Sequence, residues 1–455
     1  MTLRDPAVLR AAAFYVPVAI VGGSVWRHPP NARRVAAGSL ATLWVACVVY
    51  VTHPLAASQQ WWTYDVEGGT VRGLPAELWL GWALLWGAVP ALVSRNVLPV
   101  AIAVLAVDAL LMTQLEPIVE LGSRWWIGQS VLIGLAFTPA FVIARSTLAA
   151  RHVGIRATGQ FALFSLTLLV SMDLLLASTG GSWADFRGGP VATQVLAQLV
   201  AIVAVPGAIA VRDLATVGHG TPFPWDPPDQ LVTTGPYAYV ANPMQLSAIA
   251  LIVIAGVTVR SPALLALSVV AVAFSISLAN RHEAAALTIR YGSTWFVYRQ
   301  RVRSWWPRWY PRFEADGVLF VDVDCSECSR IGRWFAKRSR QLQIAPSTAE
   351  MRRVTYIGPD GIRSAGVSAL ARALEHINLA WSVAAWAMRL PGFTWFAQTI
   401  ADAVGAGPRP LPHLRPCDRD PLAHDVITDE AVAGDGPPVD SVASHAHRTR
   451  VTLPD

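Results

Sequence analysis

The sequence predicts an all-α polytopic membrane domain of eight or nine transmembrane helices, followed by a small α/β domain and a disordered tail. Three observations carry this. Apolar runs of membrane-spanning length recur through the first 280 residues of a chain that is 53% hydrophobic, with mean hydropathy +0.41. After Arg312 the runs give way to short strand-like and helical segments. From about Gly405 to Asp455, proline, glycine, aspartate and histidine dominate without periodicity, the composition of a segment with too little apolar surface to fold.

The first span is Ala7 to Trp26, which Arg10 and Pro17 interrupt and which no small-residue cleavage site follows. Further spans are expected at roughly 35 to 55, 75 to 94, 97 to 115, 126 to 145, 158 to 179 and 191 to 211. A hairpin of Gln245 to Val259 and Pro262 to Asn280, split by Arg260 and Ser261, brings the total to nine, or eight without the first. The net charge of +6 and pI near 9.4 reflect arginines gathered at membrane edges, so the basicity is read as topology and nucleic acid is excluded as a partner. The arginine bias, heaviest around Arg33 and Arg34, Arg151 and Arg156, and after Arg281, places the C-terminal part on the cytosolic side of a cell membrane. Asp108 and Asp173 sit inside apolar runs and read as interhelical hydrogen-bonding carboxyls, with substrate contact as the sharper alternative. Gln194 and Gln198, one turn apart, read as helix-packing groups, and Trp61, Trp62, Trp125 and Trp126 as interfacial belt residues. The proline-rich stretch His219 to Gln230 cannot continue a helix and is expected to lie as an extended loop, with His219 solvated.

The hairpin is preceded by LVTTGPYAYVANPMQL and followed by RHEAAALTIRYGSTWFVYRQR. Because a hairpin returns its chain to the side it left, these two polar segments face one compartment, close together at the membrane surface. The pattern resembles the integral-membrane methyltransferases that include isoprenylcysteine carboxyl methyltransferase and the phospholipid N-methyltransferases. Gly235, Pro236, Tyr237, Tyr239, Asn242 and Pro243 match their first motif, and Leu287, Gly292 and Tyr298 keep the second in register, which puts Glu283 on its first glutamate. Ala241 stands where the family usually has arginine, Gln245 where it often has tyrosine, Ala284 on the second glutamate and Trp295 on a tyrosine. The resemblance implies S-adenosylmethionine as cofactor, held by the turn, Asn242, the tyrosines and Glu283, and methyl transfer to a lipid-borne or hydrophobic acceptor.

Beyond Arg312, Gly317 to Asp322 reads as a short buried strand and Ser326 to Arg338 as a helix, so Cys325 and Cys328 of DVDCSECSR fall at a strand-to-helix turn. Helix N-terminal N–H groups favour a thiolate there, which suits thiol-disulfide exchange with Cys325 attacking and Cys328 resolving. The segment resembles the thioredoxin-like oxidoreductases named for an Asp-Cys-Cys motif: Asp322, Asp324, Cys325 and Cys328 match, and Val323 replaces a glycine. A Cys3His zinc site with His413 and Cys417, and a docking domain without chemistry, are the competing readings. The chain therefore divides at 1–190, 191–312, 313–404 and 405–455. The resemblance implies a membrane methyltransferase, with two alternatives: a membrane-tethered oxidoreductase with a thiol or disulfide partner, or a non-enzymatic scaffold.

Overall fold

Gly87 shows how the helical part is packed: a Cβ there would lie 2.4 Å from the Thr42 Cα, so the two helices meet backbone to backbone. Thr42 belongs to α2 (Ala32–Ser58), the most deeply enclosed of the long apolar helices, and Gly87 to α3 (Ala76–Leu92). The computed structural model describes residues 5–93, 96–116, 118–223, 226–279, 287–348 and 351–408. α3, α5 (Trp125–Ala149) and α6 (Val153–Ser178) pack against α2, α1 (Pro6–Arg27) and α4 (Val97–Leu115) pack against α3, and α7 (Pro190–Thr216) packs against α6. The hairpin consists of α8 (Pro243–Thr258) and α9 (Pro262–Ser277).

Among the described residues, six helices are long and apolar enough to cross a membrane: α1, α2, α4, α5, α6 and α7. The expected count of eight or nine crossings is not confirmed. α3, α8 and α9 occupy the remaining expected positions; α3 and α8, with 17 and 16 residues, rise only about 24–26 Å, short of the ~30 Å hydrocarbon core, whereas α9 adjoins residues outside the described ones. Pro243 and Pro262 at the first helical turns set where α8 and α9 begin.

Two expectations for the helical part change. Trp61 and Trp62 are buried, because β1 (Trp62–Tyr64), which precedes the short antiparallel pair β2 (Thr70–Val71) and β3 (Leu74–Pro75), pairs antiparallel with β4 (Val119–Leu121) and closes over the bundle end, while Trp126 is exposed. Gln194 and Gln198 are both exposed on α7, not enclosed between helices. Asp108 does bridge helices, accepting hydrogen bonds from Trp82 Nε1 at 3.0 Å and from Gln129. Asp173 accepts from Tyr50 at 2.5 Å, Arg72 at 3.0 Å and Trp183 at 2.8 Å.

After the hairpin, α10 (Ser293–Arg301) leads into a mixed helix and small-sheet part. β5 (Gly317–Val321) runs parallel to β6 (Leu342–Pro346) and antiparallel to β7 (Thr355–Ile357), which pairs with β8 (Arg363–Ala365), giving the order β6-β5-β7-β8. The parallel pair needs a crossover, supplied by α11 (Ser326–Ala336). Leu319, Val321, Phe335 and Tyr356 form its core with α12 (Val367–Leu374) and α13 (Leu379–Met388). α14 (Pro391–Ala401) runs on into a short π-helix at Asp402–Ala406. The described residues belong to one compact unit. Glu283, Ala284, His413, Cys417 and the expected tail beyond residue 408 lie outside the described residues.

Candidate functional site

The GPYAY segment forms a single 3-10 turn, Gly235–Ala238, at the foot of α8. Gly235 takes φ +61, in the left-handed region that glycine enters without penalty. A Cβ on it would also lie 2.1 Å from Asp213 Oδ2 on α7, so glycine is required twice over.

The two motifs around the hairpin meet. Tyr298 Oη donates to the Tyr237 carbonyl at 2.9 Å, and Tyr298 is itself buried and stacks with Trp295. The strand of chain after α10 then runs along the turn. Ala241 N donates to Arg303 O at 2.9 Å, Arg308 N to Tyr239 O at 3.0 Å and Arg312 N to Ala238 O at 3.0 Å. The turn's backbone is thus held from one side by the segment that follows the hairpin. The proline-rich loop is held likewise: Tyr291 Oη donates to Pro228 O, and Arg290 pairs with Asp229 at 2.8 Å.

From the other side the turn is covered by the small-sheet part. Tyr239 is fully buried; its hydroxyl donates to Glu375 O at 2.8 Å and accepts from Ser382 Oγ at 2.7 Å. Its ring meets Trp386 edge to face at 5.6 Å, and burial pushes its pKa up. Thr234 Oγ1 donates to Asp360 Oδ2 at 3.2 Å, and Asp360 is paired with Arg372.

Beneath Gly235 lies a buried ionic triad. Arg389, at the end of α13, donates through Nη1 to Glu375 Oε1 at 2.6 Å and to Asp213 Oδ2 at 3.2 Å, and through Nη2 to Asp213 Oδ1. All three side chains are almost wholly enclosed. Burial raises the Glu375 pKa against the pull of Arg389 and Arg372. Burial acts to lower that of Arg389, but the carboxylates of Asp213 and Glu375 outweigh it, so the guanidinium stays charged. Beside the triad, burial pushes His376 down to about 4. The neutral ring donates from Nδ1 to Arg340 O at 3.2 Å and accepts at Nε2 from Tyr356 Oη at 2.7 Å.

The residues of the first motif therefore split into two groups. Gly235, Pro236, Tyr237 and Tyr239 are buried, and the carboxylate that Gly235 admits is the protein's own Asp213. Asn242, half-buried, and Pro243 start α8, and one turn on, Gln245 Oε1 is buried with no hydrogen-bond partner. An acceptor so placed suits a ligand bearing N–H or O–H donors. Sequence reasoning missed Asp213, Glu375, Arg389 and Ser382; the only local signal was a charge at the end of each apolar helix.

Cys325 is the N-cap of α11, with its carbonyl accepting from Ser329 N at 2.9 Å, and Cys328 lies one turn in, against the core of the sheet. Both are half-buried. Among the described residues no group of three histidine, cysteine or acidic side chains is arranged to hold a metal.

Residues 197–294, from within α7 through the first motif and the hairpin into the second motif, match the phospholipid methyltransferase family. This match points to membrane methyltransferase activity in a chain whose apolar helices make it an integral membrane protein. No curated protein and no solved structure matches the chain.

Proposed function

We propose that the protein transfers a methyl group from S-adenosylmethionine to a lipid-borne or hydrophobic acceptor at the cytosolic membrane face. When bound, S-adenosylmethionine supplies a sulfonium-activated methyl group to a nucleophile. The observation that carries the reading is the orphaned Gln245 Oε1 at the start of α8, inside the stretch that matches phospholipid methyltransferases. In this reading the work divides along the first motif. Asn242, Gln245 and Glu283 hold the cofactor's amino and hydroxyl groups. Gly235, Pro236, Tyr237, Tyr239 and Pro243 shape and brace the turn that presents them. Positioning donor and acceptor is most of what such a transfer asks of a protein.

The test is calorimetric titration of S-adenosylmethionine into the full-length protein in nanodiscs, with Asn242→Ala, Gln245→Leu and Glu283→Ala beside wild type. Saturable wild-type binding, weakened tenfold or more by at least two of the changes, is expected. Folded protein that binds none would sink the proposal.

A second reading rests on Cys325 and Cys328. The order β6-β5-β7-β8, with a parallel first pair joined by α11 and cysteines at that helix's N-terminus, supports a thioredoxin-like assignment for residues 313–404. In it the Cys325 thiolate attacks a substrate disulfide, releasing one thiolate, and Cys328 then displaces the second, leaving an oxidised Cys325–Cys328 pair and a reduced substrate. Insulin reduction coupled to a dithiol reductant is the assay; equal rates for wild type and Cys325→Ser would remove this reading and leave the first untouched.

A further inference from the structure

A cavity of about 340 Å³ lies away from the hairpin motifs, at the bundle end where α2 starts, α5 ends and α6 starts. Its wall includes Arg33, Thr147, Arg156, Gln160, Phe223 and Asp226. Three of these carry buried polar atoms without a partner: Thr147 Oγ1, Arg156 Nε and Gln160 Oε1. Arg156 is 4% exposed and Gln160 1%, so neither reaches bulk water. Leaving such groups unsatisfied is costly, and three sharing one cavity call for a common partner.

The charges say what kind. Arg156 already spends one edge of its guanidinium on Asp226, the sole acidic residue of the wall, and Arg33 stands exposed at the mouth. Two arginines against one aspartate leave the cavity net positive. Arg156 Nε–H and the Thr147 hydroxyl are donors for an anion, whereas Gln160 Oε1 needs a donor from the same ligand. We infer that this cavity binds a phosphate group carrying a neighbouring hydroxyl or amino group. The ring of Phe223 would flank the appendage. Its volume is at the low end for small-molecule sites, which fits a phosphate ester of a few carbons, either the headgroup of a membrane lipid or a soluble molecule. The inference is independent of methyl transfer, since its wall shares no residue with the Asn242 to Gln245 turn.

The probes are glycerol 3-phosphate, titrated into full-length protein in a phosphate-free maltoside, and phosphatidylglycerol, added in the same micelles and read by native mass spectrometry and thermal stability. Saturable binding of either is expected; binding of the lipid alone assigns a headgroup, and binding of both assigns the phosphate ester itself. Arg156 changes also break the pair with Asp226, so the diagnostic variants are Thr147→Val and Gln160→Leu, which leave that pair intact. Each should weaken binding tenfold or more while folding at least as stably as wild type in the absence of probe. No saturable binding of either probe to wild type, or binding unchanged in both variants, would overturn the inference and leave a cavity filled by water.

Discussion

Removing Arg389 tests whether the small-sheet part holds the motif turn in place. Arg389→Ala removes the one cation bonded to both Asp213 and Glu375, whose side chains are only 1% and 2% exposed, and leaves Glu375 only the longer-range pull of Arg372. Breaking a buried pair from one side typically costs about 3–5 kcal/mol, because the remaining charge is left desolvated. Two carboxylates share this arginine, so the upper half of that range is expected. The loss has a pH signature. Glu375 is already raised by burial, and without Arg389 it rises further. Stability lost by a raised carboxyl is lost above its unfolded pKa of about 4 and regained as pH falls, so the variant's deficit shrinks on acidification. Replacing all three together, Asp213→Leu, Glu375→Leu and Arg389→Met, removes the charges instead of stranding them and is expected to restore most of the stability. The assay is mixed-micelle unfolding followed by tryptophan fluorescence between pH 5 and pH 8, with Trp386 as a probe beside the triad. A pH-independent loss below about 1 kcal/mol for Arg389→Ala would refute the claim that the triad clamps the turn.

Three further outcomes follow from the same geometry. His376 is neutral when folded, with its pKa lowered from 6.5 to about 4, so the unfolded chain binds the extra proton between those values. Its contribution is complete above pH 6.5 and lost as pH falls toward 4, by about 3 kcal/mol; His376→Gln should flatten that stretch of the unfolding profile. Gly235→Ala forces φ +61 on a residue with a Cβ and drives it into the locked Asp213 carboxylate, so a loss of more than about 2 kcal/mol is expected in the same unfolding assay. Tyr298→Phe deletes the bond to the Tyr237 carbonyl, which should cost about 1 kcal/mol and weaken S-adenosylmethionine binding by calorimetry, since it frees the second motif from the first.

The local features of the fold were legible and the long-range ones were not. The strand expected from Gly317 and the helix expected from Ser326 both begin there, because alternation and an N-terminal turn are written within a few residues. The hairpin's position was equally readable, since two apolar runs and two prolines mark it. Its depth was not, because apolarity gives a run's extent while helix length depends on where the chain turns. Trp61 and Trp62 resembled interfacial residues until the pairing of Trp62 with Leu121, far along the chain, enclosed them. The covering of Tyr239 was hidden for the same reason: Ser382 and Glu375 lie well over a hundred residues away and look like ordinary helix polar groups. Glu283, the acidic residue of the second motif, lies outside the described residues.

The triad also sets an order of synthesis. Asp213 and Arg389 are separated by 176 residues, so at ~5–20 residues per second the ribosome delivers the arginine roughly 10–35 s after the aspartate. Throughout that interval α7 is being inserted with an acidic end whose cation has yet to be translated. A nascent chain stopped after Arg312 holds the complete GPYAY sequence and the whole hairpin, yet lacks what seats Gly235 and Tyr239. Seating of the GPYAY turn therefore waits on the C-terminal segment that supplies Glu375, Ser382 and Arg389.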